Sequence, residues 1–110
     1  MRIINLYRAS KEEIVSCIYV GRNPEYHKKK FGFTKSLEVL ANPFTVAEHG
    51  KGVCVDMYEG YLWQNLSDPK IRSAIESINK DDILACWCHP KECHADRIWK
   101  LWEFVNDGRE

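Results

Sequence analysis

The sequence predicts a small α/β protein: one Rossmann-like domain of three layers with a mostly parallel sheet. Three patterns support this fold class. Short strand-like segments lie near the N-terminus, helical patterns fill the second half, and a continuously apolar run from Ile83 to Cys88 precedes a final amphipathic helix. Such a run is typical of a strand covered on both faces. With 110 residues the chain can bury one core, so we expect a single domain over residues 1–110.

The composition narrows the class of protein. Sixteen basic and sixteen acidic residues balance, so no global field attracts nucleic acid. The apolar runs are short and no basic segment precedes one at the N-terminus, which predicts neither a membrane span nor a secretory signal, and hence a cytoplasmic protein. Five cysteines, three of them between Cys86 and Cys93, suit a metal or thiol site in a reducing compartment better than a disulfide framework.

The first half of the chain predicts two strands. Arg2 to Arg8 has the composition of a first strand. Ser10 and Glu13 have the spacing of a capping box, which predicts a turn or short helix. The run from Val15 to Val20 predicts a second strand that ends at the turn-forming residues 21–24.

Residues 23 to 43 show the least regular pattern, and we expect a long loop with a short helix near Ser36 to Leu40. Loops of this length are often functional. The loop is therefore either a binding loop or lid, or a solvated insertion. One hypothesis makes it a nucleic-acid surface, in which Phe31 or Phe33 stacks on bases. The residues expected on phosphates are His27, Lys28, Lys29 and Lys30.

The second half predicts two helices, a strand and a last helix. Apolar spacing indicates a helix from about Val53 to Asn65. Ser67 or Asp68 can cap the next helix, with Pro69 in its first turn. The last helix is predicted from about Ala95 to Asn106. The buried stripe expected on the middle helix consists of Ile71, Ala74, Ile75 and Ile78.

The segment from Cys86 to His94 is the predicted functional centre, because ligands of open parallel sheets bind beyond the carboxyl ends of the strands. Side chains alternate along a strand, so Cys86 and Cys88 should face one side and Trp87 the other. The simplest interpretation is that the cysteines are buried packing residues.

A zinc site is the second interpretation. Thiolate and imidazole are suitable zinc ligands. The spacing is unusual for zinc, and adjacent Cys93 and His94 would chelate one ion awkwardly. The candidate ligands are Cys86, Cys88, Cys93 and His94, with His89 as a substitute for His94.

A metal-free anion site is the preferred interpretation, with no cofactor. Backbone amides at the start of the last helix, with His94 and an arginine, would hold a group such as phosphate. The helix start would also lower the pKa of Cys93 and make it a nucleophile or general acid.

The chain resembles the bacterial and phage family called domain of unknown function 4326. The resemblance rests on the Cys-Trp-Cys-x-Pro-x-x-Cys-His pattern at residues 86–94 and the Ala-Asp pair that follows. Tyr19 to Arg22, Asn42 to Phe44, and Tyr58 with Leu62 extend it upstream. Two departures are Ala41, where members often have glycine, and the length of residues 23–40. The resemblance implies a small α/β fold in a bacterial or phage-infected cell, but no particular activity.

The leading functional prediction is a pocket for a nucleotide or nucleotide-derived small molecule. Arg22 would pair with phosphate, or would only satisfy a turn carbonyl, and Asn42 would fix a ribose or base edge. Trp63 or Tyr58 would stack on a base. The predicted ligand-binding residues are Gly21, Arg22, Asn42, Pro43, Phe44, Tyr58, Trp63, Cys88 and Asp96.

Whether the pocket is catalytic stays open. Cys93 and His94 are the candidate catalytic residues, for glycosidic or phosphoryl-type chemistry. The alternatives are a phage-type protein that sequesters a nucleotide signal or antagonises a host factor without turnover, and a zinc-supported module that binds nucleic acid.

Overall fold

The protein forms a parallel sheet. This computed structural model describes residues 1–44, 49–87 and 94–107. Within that part, the strands lie in the order β1-β4-β2-β3, and all neighbouring pairs are parallel. The carboxyl ends of the strands therefore meet at one edge of the sheet, as predicted. The strands are β1 (Arg2–Asn5), β2 (Ile18–Tyr19), β3 (Lys35–Ser36) and β4 (Ile83–Cys86).

Helices cover both faces of the sheet. On one face α3, α4 and α5 pack together with Leu84 and Cys86 of the central strand β4. On the other face α1 and α2 lie against Tyr19 and Ala85. This arrangement confirms the predicted three-layer α/β fold. The helices with described bounds are α1 (Lys11–Ser16), α2 (Pro24–Phe31), α3 (Lys51–Gln64), α4 (Pro69–Glu76) and α5 (His94–Asp107), and a 3₁₀ turn spans Glu38–Leu40.

The first two strands are shorter than predicted. β1 ends at Asn5 because the Asn5 side-chain oxygen accepts a hydrogen bond from the Tyr7 amide at 2.9 Å, which turns the chain. The predicted start of the second strand at Val15 was wrong, and within the predicted segment Ile18–Tyr19 is a strand. The capping box of Ser10 and Glu13 forms as predicted, and the helix that it starts continues through Val15 to Ser16.

The prediction of a long loop over residues 23–43 was also wrong, because most of these residues form a helix, a short strand and a 3₁₀ turn. Pro24 occupies the first turn of α2, where its missing amide costs nothing. Gly32 ends the helix in the left-handed conformation, with φ of 93°. The short helix expected near Ser36 to Leu40 is present as the 3₁₀ turn.

The second half follows the predictions closely. α3 and α5 each begin a residue or two before the predicted start, and the Asp68 side chain caps α4 by accepting from the Lys70 amide at 2.9 Å. The predicted apolar stripe of α4 is buried. The described strand stops at Cys86, and Cys88 lies outside the described residues.

Among the helices formed by residues 1–44, 49–87 and 94–107, none is both long enough and apolar enough to cross a membrane.

Candidate ligand site at the carboxyl edge of the sheet

His94 is the first residue of α5 and reaches the end of β2. Its Nε2 atom lies 2.8 Å from the carbonyl oxygen of Val20. A carbonyl can only accept a hydrogen bond, so Nε2 carries the proton and donates it. The bond joins the last helix to the end of a neighbouring strand and fixes the orientation of the imidazole.

The surroundings of His94 keep the ring neutral. Burial lowers the pKa of His94, and the positive charge of Arg22 lowers it further. The hydrogen bond to Val20 and the charge of Asp96 oppose this shift without cancelling it. A neutral imidazole whose proton is on Nε2 has a lone pair on Nδ1. Nδ1 is thus the nitrogen of His94 that can act as a hydrogen-bond acceptor or a base.

Tyr58 supports the His94 ring from the α3 side. The two rings meet edge to face with centroids 5.4 Å apart, and the Tyr58 hydroxyl donates to the Leu40 carbonyl. Tyr58 is fully buried. In this structure it packs in the core, whereas the sequence prediction placed it as a stacking partner of a base.

Arg22 joins the end of β2 to the predicted Asn42–Phe44 loop. Its Nε donates to the Asn42 carbonyl and its Nη2 to the Phe44 carbonyl, both at 2.8 Å. The alternative in which Arg22 satisfies backbone carbonyls is therefore observed. A guanidinium has five N–H donors, so these two bonds do not exhaust it. The side chain itself is exposed.

The side chain of Asn42 is engaged within its own loop. Its oxygen accepts from the Phe44 amide at 2.9 Å, and its amide nitrogen lies 3.2 Å from the Cys54 sulfur. The Cys54 thiol in turn donates to the Phe44 carbonyl at 2.9 Å. These bonds hold the loop against the start of α3, so the side chain of Asn42 is engaged within the protein. Pro43 is exposed and Phe44 is partly buried.

Gly21 is required by close packing. A Cβ atom at this position would lie 2.4 Å from the hydroxyl oxygen of Tyr19, closer than any real contact. Tyr19 cannot easily retreat, because its hydroxyl donates to the Arg22 carbonyl at 2.7 Å and accepts from the Trp87 indole at 3.0 Å. Gly21 was among the predicted ligand-binding residues, and Tyr19 was not. The Tyr-x-Gly-Arg spacing was the available signal.

A cluster of rings surrounds Trp87 on the α2 face of the sheet. We call it the aromatic patch. Trp87 lies on the face opposite Cys86, as strand alternation predicted. The centroids of Tyr7, Phe31 and His27 lie 5.1, 5.4 and 4.8 Å from the Trp87 ring. The patch consists of Tyr7, Tyr26, His27, Phe31 and Trp87.

Of the other predicted residues, Trp63 and Phe33 lie away from His94, whereas Asp96 lies near it. Trp63 packs on Phe104 with centroids 4.9 Å apart, about ten residues or roughly 15 Å along α5 from His94. Phe33 is only 1% exposed, which leaves Phe31 as the alternative for stacking on nucleic-acid bases. Asp96 is in the first turn of α5, close enough to raise the pKa of His94.

The central part of the predicted motif is outside the described residues. Cys88, His89 and Cys93 lie there, so the structure describes only Cys86 and His94 of the zinc-ligand set. Within the described ranges, no three potential metal ligands come together. Cys86 is buried in the core. Burial raises the pKa of Cys17 to about 11, which keeps that thiol protonated, in line with a packing role.

Three open clefts among the described residues have linings that do not include His94. One of about 330 Å³ follows β1, and one of about 450 Å³ lies beside β3. A third, of about 640 Å³, borders Tyr26 at the start of α2 and is lined by Glu25 and Glu38.

The fold and the site define a class of protein: a three-layer α/β protein with a parallel sheet, in which the last helix begins with a histidine that hydrogen-bonds to the end of a neighbouring strand. Residues 4–104 match the family described as Domain of unknown function (DUF4326). The chain belongs to this family, which confirms the resemblance seen in the sequence. No curated protein and no solved structure matches the chain.

Proposed function

We propose that the protein binds a nucleotide or nucleotide-derived small molecule at the carboxyl edge of the sheet, beside His94. The observation that carries this proposal is the imidazole of His94, held at the start of α5 by its 2.8 Å bond to the Val20 carbonyl. Its Nδ1 lone pair is an acceptor for a ligand hydroxyl or N–H. The charge of Arg22 acts on the same ring.

Anion binding follows from the charges at this edge. The start of α5 carries the positive end of a helix dipole, which favours a phosphate group. The N–H donors of Arg22 that do not bond to the loop carbonyls can pair with the phosphate oxygens. Asp96, in the first turn of α5, supplies an acceptor for ribose hydroxyls. The Asn42–Phe44 loop and Gly21 form the wall of the site, and the partly buried Phe44 ring offers an apolar surface to a base.

The protonation state of His94 favours chemistry at the bound ligand. A neutral imidazole with a lone pair is the form needed in a general base. Cys93, adjacent in sequence, is the second candidate group for glycosidic or phosphoryl-type chemistry. A ligand that is recovered unchanged after long incubation would instead assign the protein to sequestration without turnover.

Calorimetric titration with AMP, CMP and adenosine tests the proposal. We expect at least one nucleotide to bind, and adenosine to bind at least tenfold more weakly than AMP because it lacks the phosphate. His94→Gln should weaken the nucleotide at least tenfold. His27→Gln is the matched control, since His27 is also a partly buried histidine but lies on the opposite face. Equal affinity of the wild type and His94→Gln would contradict the proposal.

The alternative to a nucleotide is a metal ion bound to the His94 imidazole. An imidazole that donates one N–H to a backbone carbonyl is also typical of a metal ligand. Native mass spectrometry under reducing conditions separates the two cases. One zinc ion per chain, lost when Cys88 and Cys93 are changed to serine, would replace the proposed pocket with a zinc site. A co-purified nucleotide without zinc would support the pocket.

A further inference from the structure

The aromatic patch leaves two large rings in water. Tyr7 and Tyr26 are each 71% exposed, although each is in contact with another ring of the patch. Between them lie Trp87 and His27, both partly buried. A contiguous exposed aromatic surface on a small protein is typical of an interaction site.

Positive charge borders this surface. The Lys30 ammonium lies 5.5 Å from the centroid of the Phe31 ring. Lys28 and Lys29 are exposed on the same helix, and Arg8 follows Tyr7 directly. Because the chain as a whole has no net charge, this local concentration favours a polyanionic partner.

We propose that the aromatic patch and the lysines of α2 bind single-stranded nucleic acid by stacking unpaired bases on Tyr7 and Tyr26. This surface is separate from the nucleotide pocket, since α5 and His94 pack on the other face of the sheet. Aromatic rings beside lysines are the combination that holds single strands without sequence preference. A duplex keeps its bases paired and offers no ring face to the tyrosines.

The exposed tyrosines are stronger evidence for nucleic-acid binding than the lysines. Lysines in the last turn of a helix also offset its dipole, so Lys28, Lys29 and Lys30 have a structural use in α2. Exposure of Tyr7 and Tyr26 has no such use. The carboxylates of Glu25 and Glu38 line the cleft next to Tyr26 and repel phosphate. We therefore expect the bound nucleic-acid strand to run from Tyr26 towards Tyr7 on the side of Lys30.

The ring spacings set the length of the site. Successive centroids from Tyr7 through Trp87 and His27 to Tyr26 are 5.1, 4.8 and 5.1 Å apart. The outer tyrosines are therefore at most about 15 Å apart, which four or five stacked nucleotides span at roughly 3.4 Å each. Affinity should rise with oligonucleotide length up to about five nucleotides and change little beyond it.

Fluorescence anisotropy with labelled oligothymidylates of three to twelve nucleotides tests the stacking. The double variant Tyr7→Ala/Tyr26→Ala should bind at least tenfold more weakly. Tyr7→Phe/Tyr26→Phe keeps both rings and should restore binding. Phe104→Ala, which removes an exposed ring outside the patch, is the matched control. Wild-type affinity in the double alanine variant, with the fold intact by thermal melting, would overturn the proposal.

The salt dependence and the bases provide a second test. Each lost phosphate contact reduces the slope of log K against log salt by about 0.7. Changing Lys28, Lys29 and Lys30 to Gln should therefore reduce the slope by about 2. The same change at Lys35, Lys70 and Lys80, which are exposed elsewhere, should leave the slope near that of the wild type.

An oligomer of equal length without bases separates stacking from charge. It should bind at least tenfold more weakly than oligothymidylate. Equal binding of the abasic oligomer or of an acidic peptide would show a merely basic surface and overturn the proposal. Equal binding of duplex DNA would do the same. His94→Gln should leave oligonucleotide binding unchanged even where it abolishes binding of a mononucleotide.

Discussion

Single residues at the carboxyl edge of the sheet have more than one structural role. His94 begins a helix, donates to the Val20 carbonyl and stays neutral because burial lowers its pKa. Gly21 leaves room for Tyr19, whose hydroxyl links the Trp87 indole to the Arg22 carbonyl.

The pKa of His94 makes stability depend on pH. In the folded protein this pKa lies below its usual 6.5, so the unfolded chain takes up the proton more readily. Stability should be lost as the pH falls from about 7 through 6.5 and towards the folded pKa, with a slope of at most about 1.4 kcal/mol per pH unit. Urea unfolding between pH 5 and 8 measures this slope. His94→Gln should reduce it, and an unchanged slope would show that His94 is not responsible.

Gly21→Ala should destabilise the fold by about 1–3 kcal/mol, because the new methyl group overpacks against Tyr19. Gly60→Ala is the matched control. Gly60 lies inside α3, and apart from its two chain neighbours and its own helix backbone no atom lies within 4 Å of the place that a methyl group would take. The same change there should stabilise the protein by about 0.5–1 kcal/mol. Urea unfolding of both variants provides the comparison. Equal effects of the two changes would contradict the packing described for Tyr19.

Among the elements, patterns with strong periodicity were predictable. α4 is recognisable from its Asp68 cap, its Pro69 start and its apolar stripe, and β4 from its continuous apolar residues. The early strands were less predictable. The segment from Val15 has the composition of a strand, yet the capping box before it propagates a helix through Val15 to Ser16. Local capping therefore outweighed β-branched composition there.

α2 shows why the sequence predicted a loop over residues 23–43. Its sequence is mostly polar, so it gives no apolar stripe, and its start and stop depend on Asn23, Pro24 and Gly32. Asn23 and Gly32 both adopt positive φ values. These residues are as typical of loops as of helix ends. Tertiary contacts, such as those of His27 and Phe31 with Trp87, decide between the two.

In the candidate site, too, the placement of residues was predictable from the sequence, whereas their contacts were not. Chain order and strand alternation predicted that Gly21, Arg22 and His94 meet at one edge, and that Trp87 faces away from Cys86. The partners of each side chain were not predictable, because they depend on contacts between residues far apart in sequence. Arg22 bonds to the Asn42 loop, and Tyr58 packs under His94.

At the scale of the whole molecule, the sheet separates two surfaces. The His94 edge combines a neutral imidazole, an arginine and a helix start. The aromatic patch lies on the α2 face, with exposed tyrosines and lysines. Hydrogen bonds from the Trp87 indole to the Tyr19 hydroxyl, and from that hydroxyl to the Arg22 carbonyl, connect the two surfaces.

The state of the His94 ring is the central claim, and ¹⁵N NMR of the histidine side chains measures it directly. At pH 7 we expect a neutral ring protonated on Nε2, and a shift of the His94 Nδ1 resonance when the nucleotide that binds in calorimetry is added. The contradicting result is a ring protonated on Nδ1 or on both nitrogens, or an Nδ1 resonance that does not move at saturating nucleotide.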